Sequence, residues 1–140
     1  MLAGMRAAGA AALFALVAAL GGCGGDDEDN GRDAGGLARE ASAVVEDLER
    51  AIAAGEFDRI CAELLSAEVR RQAGGGDCPN MLARTSAGVE RPRIEIQEIQ
   101  IEGATATVEV VTVAEGQARV EDTIRLVREA GAYRISSLSG

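Results

Sequence analysis

The chain has 140 residues and a net charge of −9, with 23 Asp and Glu against 14 Arg, and it contains neither histidine nor lysine. That composition excludes imidazole acid–base chemistry, histidine metal ligation, a phosphate-loop lysine and Schiff-base catalysis. No Trp, one Tyr and two Phe leave little material for stacking on bases, and the negative charge opposes nucleic acid and anionic membrane surfaces.

Residues 1–22 read as a leader. Arg6 precedes an apolar run, Ala7 to Leu20, built from Ala, Gly, Leu, Phe and Val. The run is shorter than the roughly 20 apolar residues that cross a bilayer, and a positive start, short apolar middle and small-residue end describe a secretory signal. Met5-Arg6 offers a second start beside Met1. The end of the run, Leu20-Gly21-Gly22-Cys23, resembles the lipobox of bacterial lipoproteins, in which the thiol takes a diacylglycerol thioether and becomes the mature N-terminus. The resemblance implies lipidation at Cys23, with the mature chain held on the outer face of the cell membrane by acyl chains. The alternative is an ordinary signal peptide that happens to carry a cysteine at its boundary.

From Cys23 to Gly36 the chain is acidic and Gly-rich: five acids, one Arg and five Gly follow the cysteine. Such a stretch cannot bury a core, and the expectation is a flexible tether over 23–36. It lacks the spaced oxygen ligands and distal Glu of a calcium loop, so no metal site is expected there, and no cofactor is expected anywhere.

With Cys23 assigned to the lipid, Cys61 and Cys78 remain as a pair outside the reducing cytosol. A disulfide is expected between them, worth about 3 kcal/mol by chain entropy. Two separately buried thiols are the alternative.

The globular part is 37–140. Leu37, Ala41, Val44, Val45, Leu48 and Ile52 recur at helical spacing, and Gly55 supplies a stop. Phe57, Ile60, Cys61, Leu64 and Leu65 make the stripe of a second helix, with Val69 in a further short turn. Gly74-Gly75-Gly76 breaks the chain. Asp77 as N-cap and Pro79 in the first turn predict a third short helix through Met81 and Leu82.

Beyond Pro92 the pattern is strand: 93–101, 104–113, 118–128 and 133–138, joined at Glu102-Gly103, Glu115-Gly116 and Ala130-Gly131. Short turns make this an antiparallel meander. Apolar parity switches between Ile96 and Ile99 and again between Val110 and Val111, predicting a bulge or bend in each of the first two strands and a curled sheet. The fold class is therefore α+β, helices packed on a curved four-stranded antiparallel meander.

The long first helix, the Gly55-Glu56-Phe57-Asp58 corner, Cys61, and the strand pair from Leu126 to Ile135 resemble the nuclear-transport-factor-2-like superfamily, with its cone-shaped cystatin-like fold. More narrowly they resemble small lipoproteins of high-GC Gram-positive bacteria. The resemblance implies a pocket between sheet and helices. It also implies either a non-catalytic binding module or an isomerase or dehydratase, since the superfamily holds both. Tyr133 stands where the last strand commonly carries Trp, implying a smaller cavity.

Strand parity places Asp122 with Val120, Ile124 and Leu126, and Tyr133 with Ile135, on the apolar side. A tyrosine hydroxyl beside a partly buried carboxylate is the one pair that suggests proton transfer. Glu98 is a third pocket candidate, its facing set by where the first-strand bend falls. Without His or a nucleophile elbow the catalytic alphabet is poor. The leading expectation is thus a lipid-anchored, extracytoplasmic module without catalysis, binding a small apolar ligand or an envelope protein. The rival is an isomerase- or dehydratase-type enzyme using Asp122 and Tyr133. A homodimer across the open sheet face is left open by the pattern.

Overall fold

A computed structural model describes residues 26–139. The leader and the lipidation expected at Cys23 lie outside the described residues.

Helix α1 (Asp26–Ala54) spans 29 residues, about 43 Å of helix at ~1.5 Å per residue. It starts inside the stretch expected to be a flexible tether: from Asp26 onward those residues form its first turns. These turns make no packing contribution at the glycines, since a Cβ at Gly35 or Gly36 would meet nothing within 4 Å. Core packing starts later, with Ala41, Val45, Leu48 and Ala51 fully buried along one stripe. The helix closes in a Schellman arrangement: Gly55, at φ 70°, donates its N–H to the Ile52 carbonyl, and Glu56 N–H reaches the Ala51 carbonyl.

The second helix is not one continuous α-helix. A short α2 (Phe57–Arg59) passes into a π-helical turn, Ile60–Leu64, closed by Leu65 N–H on the Ile60 carbonyl. The wider turn buries Ile60, Cys61, Leu64 and Leu65 together and delivers Leu65 in extended conformation. Leu65 then bridges Ile135 in parallel, and Ser66 N–H donates to the Ile135 carbonyl at 2.9 Å. Ser66 also caps α3 (Ala67–Gln72), accepting from Val69 N–H.

After a 3-10 turn over Gly75–Asp77 comes α4 (Cys78–Thr85), with Pro79 in its first turn. Asp77 does not cap the backbone as expected. Its φ of −90° and ψ of 1° turn the carboxylate outward, where it accepts from Asn80 and Arg84 instead. Cys61 and Cys78 form a disulfide with Cα atoms 6.2 Å apart, joining the π turn to the start of α4.

The strands β1 (Arg93–Glu102), β2 (Thr105–Val113), β3 (Val120–Glu129) and β4 (Ala132–Ser139) form one antiparallel sheet in the order β1-β2-β3-β4. A register shift between Ile96 and Glu98 puts a bulge at Gln97 in β1, as parity predicts. The second bulge lies elsewhere. β2 pairs with β3 without interruption from Thr105↔Val127 to Thr112↔Val120, so Val111 and Val113 simply face outward. The extra residue is Ser136 in β4, between the pairs Arg125↔Ser137 and Leu126↔Ile135, and its hydroxyl donates to the Arg125 carbonyl. Two bulges in the outer strands curl the sheet around α1, which packs chiefly against β1. Val108, Val110, Ile124, Leu126 and Ile135 form the buried floor of the curl.

Candidate functional site

The inner face of the sheet is filled at one end and open at the other. At the filled end Tyr133 stands opposite Arg128 and is 3% exposed. The Arg128 guanidinium lies 5.1 Å from the tyrosine ring centroid and pairs with Glu40 of α1 at 2.7 Å. The hydrogen bond it donates to Glu40 holds the guanidinium pKa above its ordinary value. The tyrosine hydroxyl is buried and has no hydrogen-bond partner among the described residues.

At the open end, a cavity of about 240 Å³ lies between the second half of α1 and the sheet. Leu48 and Ile52 line it from the helix; Ile94, Val110, Ile124 and Leu138 line it from the four strands; Thr112 and Asp122 are its polar groups. The Thr112 hydroxyl donates to Asp122 Oδ2 at 3.0 Å across the β2–β3 pair. A second hollow of about 220 Å³ shares Ile52, Ile94 and Thr112 with the first and runs on to Pro92 and Ala118. Together the two reach the size range of small-molecule sites. Val120 and Leu138, 48% and 56% exposed, stand at these two hollows, so large apolar surface is left in water where the cavity opens.

The three pocket residues expected from sequence go to three different places. Asp122 lines the cavity. Tyr133 does not: its partner Arg128 is six residues along β3 from Asp122, roughly 20 Å at about 3.3 Å per residue. The strands are long enough that two residues on one face can occupy opposite ends of it, which parity does not register. Glu98 is exposed on the outer face, opposite Glu109, and accepts from Gln100 Nε2 at 3.0 Å. The bulge at Gln97 falls just before it and turns it away from the core side.

Thr112 is the polar lining residue that sequence reading missed. It shares even parity with Val108 and Val110, which was signal enough, but a bulge assigned inside β2 hid it. Leu138 is similar: the Ser136 bulge brings it opposite Ile124 on the inner face.

A broader hollow of about 440 Å³ lies along β2 and β3, with Gln97, Glu109 and Glu121 among its lining. It has little apolar surface to bury. Among the described residues no three Asp, Glu, Cys or His side chains converge as a metal site. Arg59, drawn to Glu56, Glu63 and Asp47, has its pKa raised chiefly by its hydrogen bonds to Glu56 and Glu63, and it belongs to the helix surface rather than the cavity.

No protein-family model matches this chain, and no curated protein matches it in sequence. Solved structures do match it. A Campylobacter jejuni protein provisionally called an NTF2-like transpeptidase superposes with a TM-score of 0.50 at 11% identity, covering 68% of this chain and 95% of its own. A protein named Rd1NTF2_05, carrying several substitutions, superposes with a TM-score of 0.52 at 12% identity over 81% of this chain and 98% of its own. Likenesses at this identity show the fold, and the fold is NTF2-like: helices on a curved four-stranded antiparallel sheet.

Proposed function

From this NTF2-like fold, we propose that the protein is a lipid-anchored, extracytoplasmic binding module whose cavity between α1 and the sheet takes a small apolar ligand. The observation that carries the reading is the cavity itself: six aliphatic side chains around one polar pole, with exposed Val120 and Leu138 beside it. Burying apolar ligand surface there gains about 25 cal/mol per Å². The lipobox-like Leu20-Gly21-Gly22-Cys23 supports the anchor, and the Cys61–Cys78 disulfide accords with an oxidising compartment.

The enzyme reading loses its pair, because Asp122 and Tyr133 sit at opposite ends of the inner face and cannot touch one small substrate. Transpeptidation, suggested by the name of the Campylobacter jejuni protein, has no support here. Both described cysteines are bridged, and the chain has no histidine to activate a nucleophile.

Two measurements test the proposal. Cys23→Ala releases the protein from the membrane fraction, and mass spectrometry of the wild type finds an acylated Cys23; an unmodified N-terminus in the cytosol overturns the anchor. In amide NMR, n-hexanol perturbs Ile94, Val110 and Ile124, and Ile52→Trp, which fills the cavity, abolishes the effect. Unmoved amides in the wild type overturn the ligand reading.

A further inference from the structure

We propose that the ligand of this cavity is a small cationic amphiphile, an alkyl or arylalkyl ammonium, with its head on Asp122 and its apolar body against Leu48, Ile94 and Ile124. The inference deepens the binding-module reading and rests on it.

The polar pole is made almost entirely of acceptors. Thr112 Oγ1 carries one proton and has two acceptors in reach, Asp122 Oδ2 at 3.0 Å and the Val120 carbonyl at 3.4 Å. The shorter contact to the charged oxygen takes the proton. What remains for a ligand is Asp122 Oδ1, which has no hydrogen bond or ion pair among the described residues, and the lone pairs of Thr112 Oγ1. A ligand head must therefore bring the donors.

Charge selects further. Asp122 is half-buried, and among the described residues no basic group lines its cavity; Arg93 lines the adjoining hollow, and Arg119 is paired with Glu95 at 2.6 Å. A carboxylate set among aliphatic side chains without a cation is one half of an ion pair. An ammonium completes it and supplies up to three donors, whereas an anionic head meets the carboxylate and a chain of net charge −9. The dimensions suit a small body: a dry cavity of about 150 Å³ accepts benzene, and this one, at about 240 Å³, has room for a ring or short chain plus the head. Longer tails continue past Thr112 toward Pro92 and Ala118.

Three probes with one tail separate the head from the body: n-hexylammonium, n-hexanol and hexanoate, titrated into the whole mature chain and read by amide NMR at Ile94, Val110, Thr112 and Ile124. The expected result is that hexylammonium binds roughly tenfold or more tighter than hexanol, with hexanoate weakest. Asp122→Asn removes that preference, bringing hexylammonium down to the affinity of hexanol or below it. Added salt weakens hexylammonium alone in the wild type, a readout that needs no variant to fold. Equal affinities overturn the ammonium assignment and leave the cavity standing as an apolar site. Ammonium shifts confined to the acidic outer face, around Glu98 and Glu109, overturn it too. If no probe moves the cavity amides, the binding-module reading itself fails.

Discussion

Glu49 of α1 accepts a hydrogen bond from the backbone N–H of Ile94 in β1. The contact spans the helix–sheet gap beside the cavity, because Ile94 lines it and Leu48 and Ile52 flank Glu49 on the helix. β1 is an edge strand, so this N–H has no strand partner, and the carboxylate both satisfies it and holds the edge to the helix. Glu49→Ala should cost about 1–3 kcal/mol in chemical denaturation, the range for losing a hydrogen bond to a charged group. Glu49→Gln should recover part of that loss. An unchanged denaturation midpoint in Glu49→Ala would mean that the contact does not hold the edge.

The disulfide acts on a different part of the molecule. It joins the π-helical turn to α4 across 17 positions, and both cysteines are buried. The double variant Cys61→Ala, Cys78→Ala should lose about 3 kcal/mol, mainly through the freed unfolded chain. Dithiothreitol should destabilise the wild type by a similar amount and leave the double variant unaffected. Two free thiols titrated in the unreduced wild type would contradict the bridge.

Tyr133→Phe should be neutral or slightly stabilising, within about 1 kcal/mol. The hydroxyl is buried with no hydrogen-bond partner among the described residues, so removing it relieves a desolvation cost while the ring keeps its packing under Arg128. Hexanol binding should not change, because the residue stands at the far end of the sheet. A Tyr133→Phe protein that folds but no longer binds would move the site away from the cavity described above.

The β3–β4 hairpin turns on Ala130 and Gly131, at φ 50° and 80°. Both central residues are left-handed, the geometry that favours Asn-Gly, and alanine in that region carries about 1–2 kcal/mol of strain. Ala130→Asn should raise the thermal midpoint, with a gain of up to about 1 kcal/mol. A lowered midpoint would show that the alanine makes contacts which outweigh its strain.

Local pattern carried much of the architecture. Period-3.6 apolar spacing marked the buried stripe of α1, and a single glycine at each turn marked the hairpins, because those signals come from neighbours in the chain. The bulge at Gln97 was legible from the three-residue step between Ile96 and Ile99. The equivalent step between Ile135 and Leu138 marks the β4 bulge, but the parity argument in that strand extended only to Tyr133 and Ile135. The β2 switch misled because Val111 and Val113 are apolar residues on the outer face, where burial is partial and hydrophobicity does not determine direction.

Composition and local spacing by themselves determined the chemistry that is absent from the chain and the fold class, while the Cys61–Cys78 pairing was an expectation that the structure decided. Only the tertiary structure decided that Asp122 keeps company with Thr112 and not with Tyr133. Parity assigns a residue to a face, but position along that face depends on strand length, register and the two bulges. Those follow from pairing between segments far apart in the chain, and the cavity is lined by α1 and all four strands, which only the fold brings together.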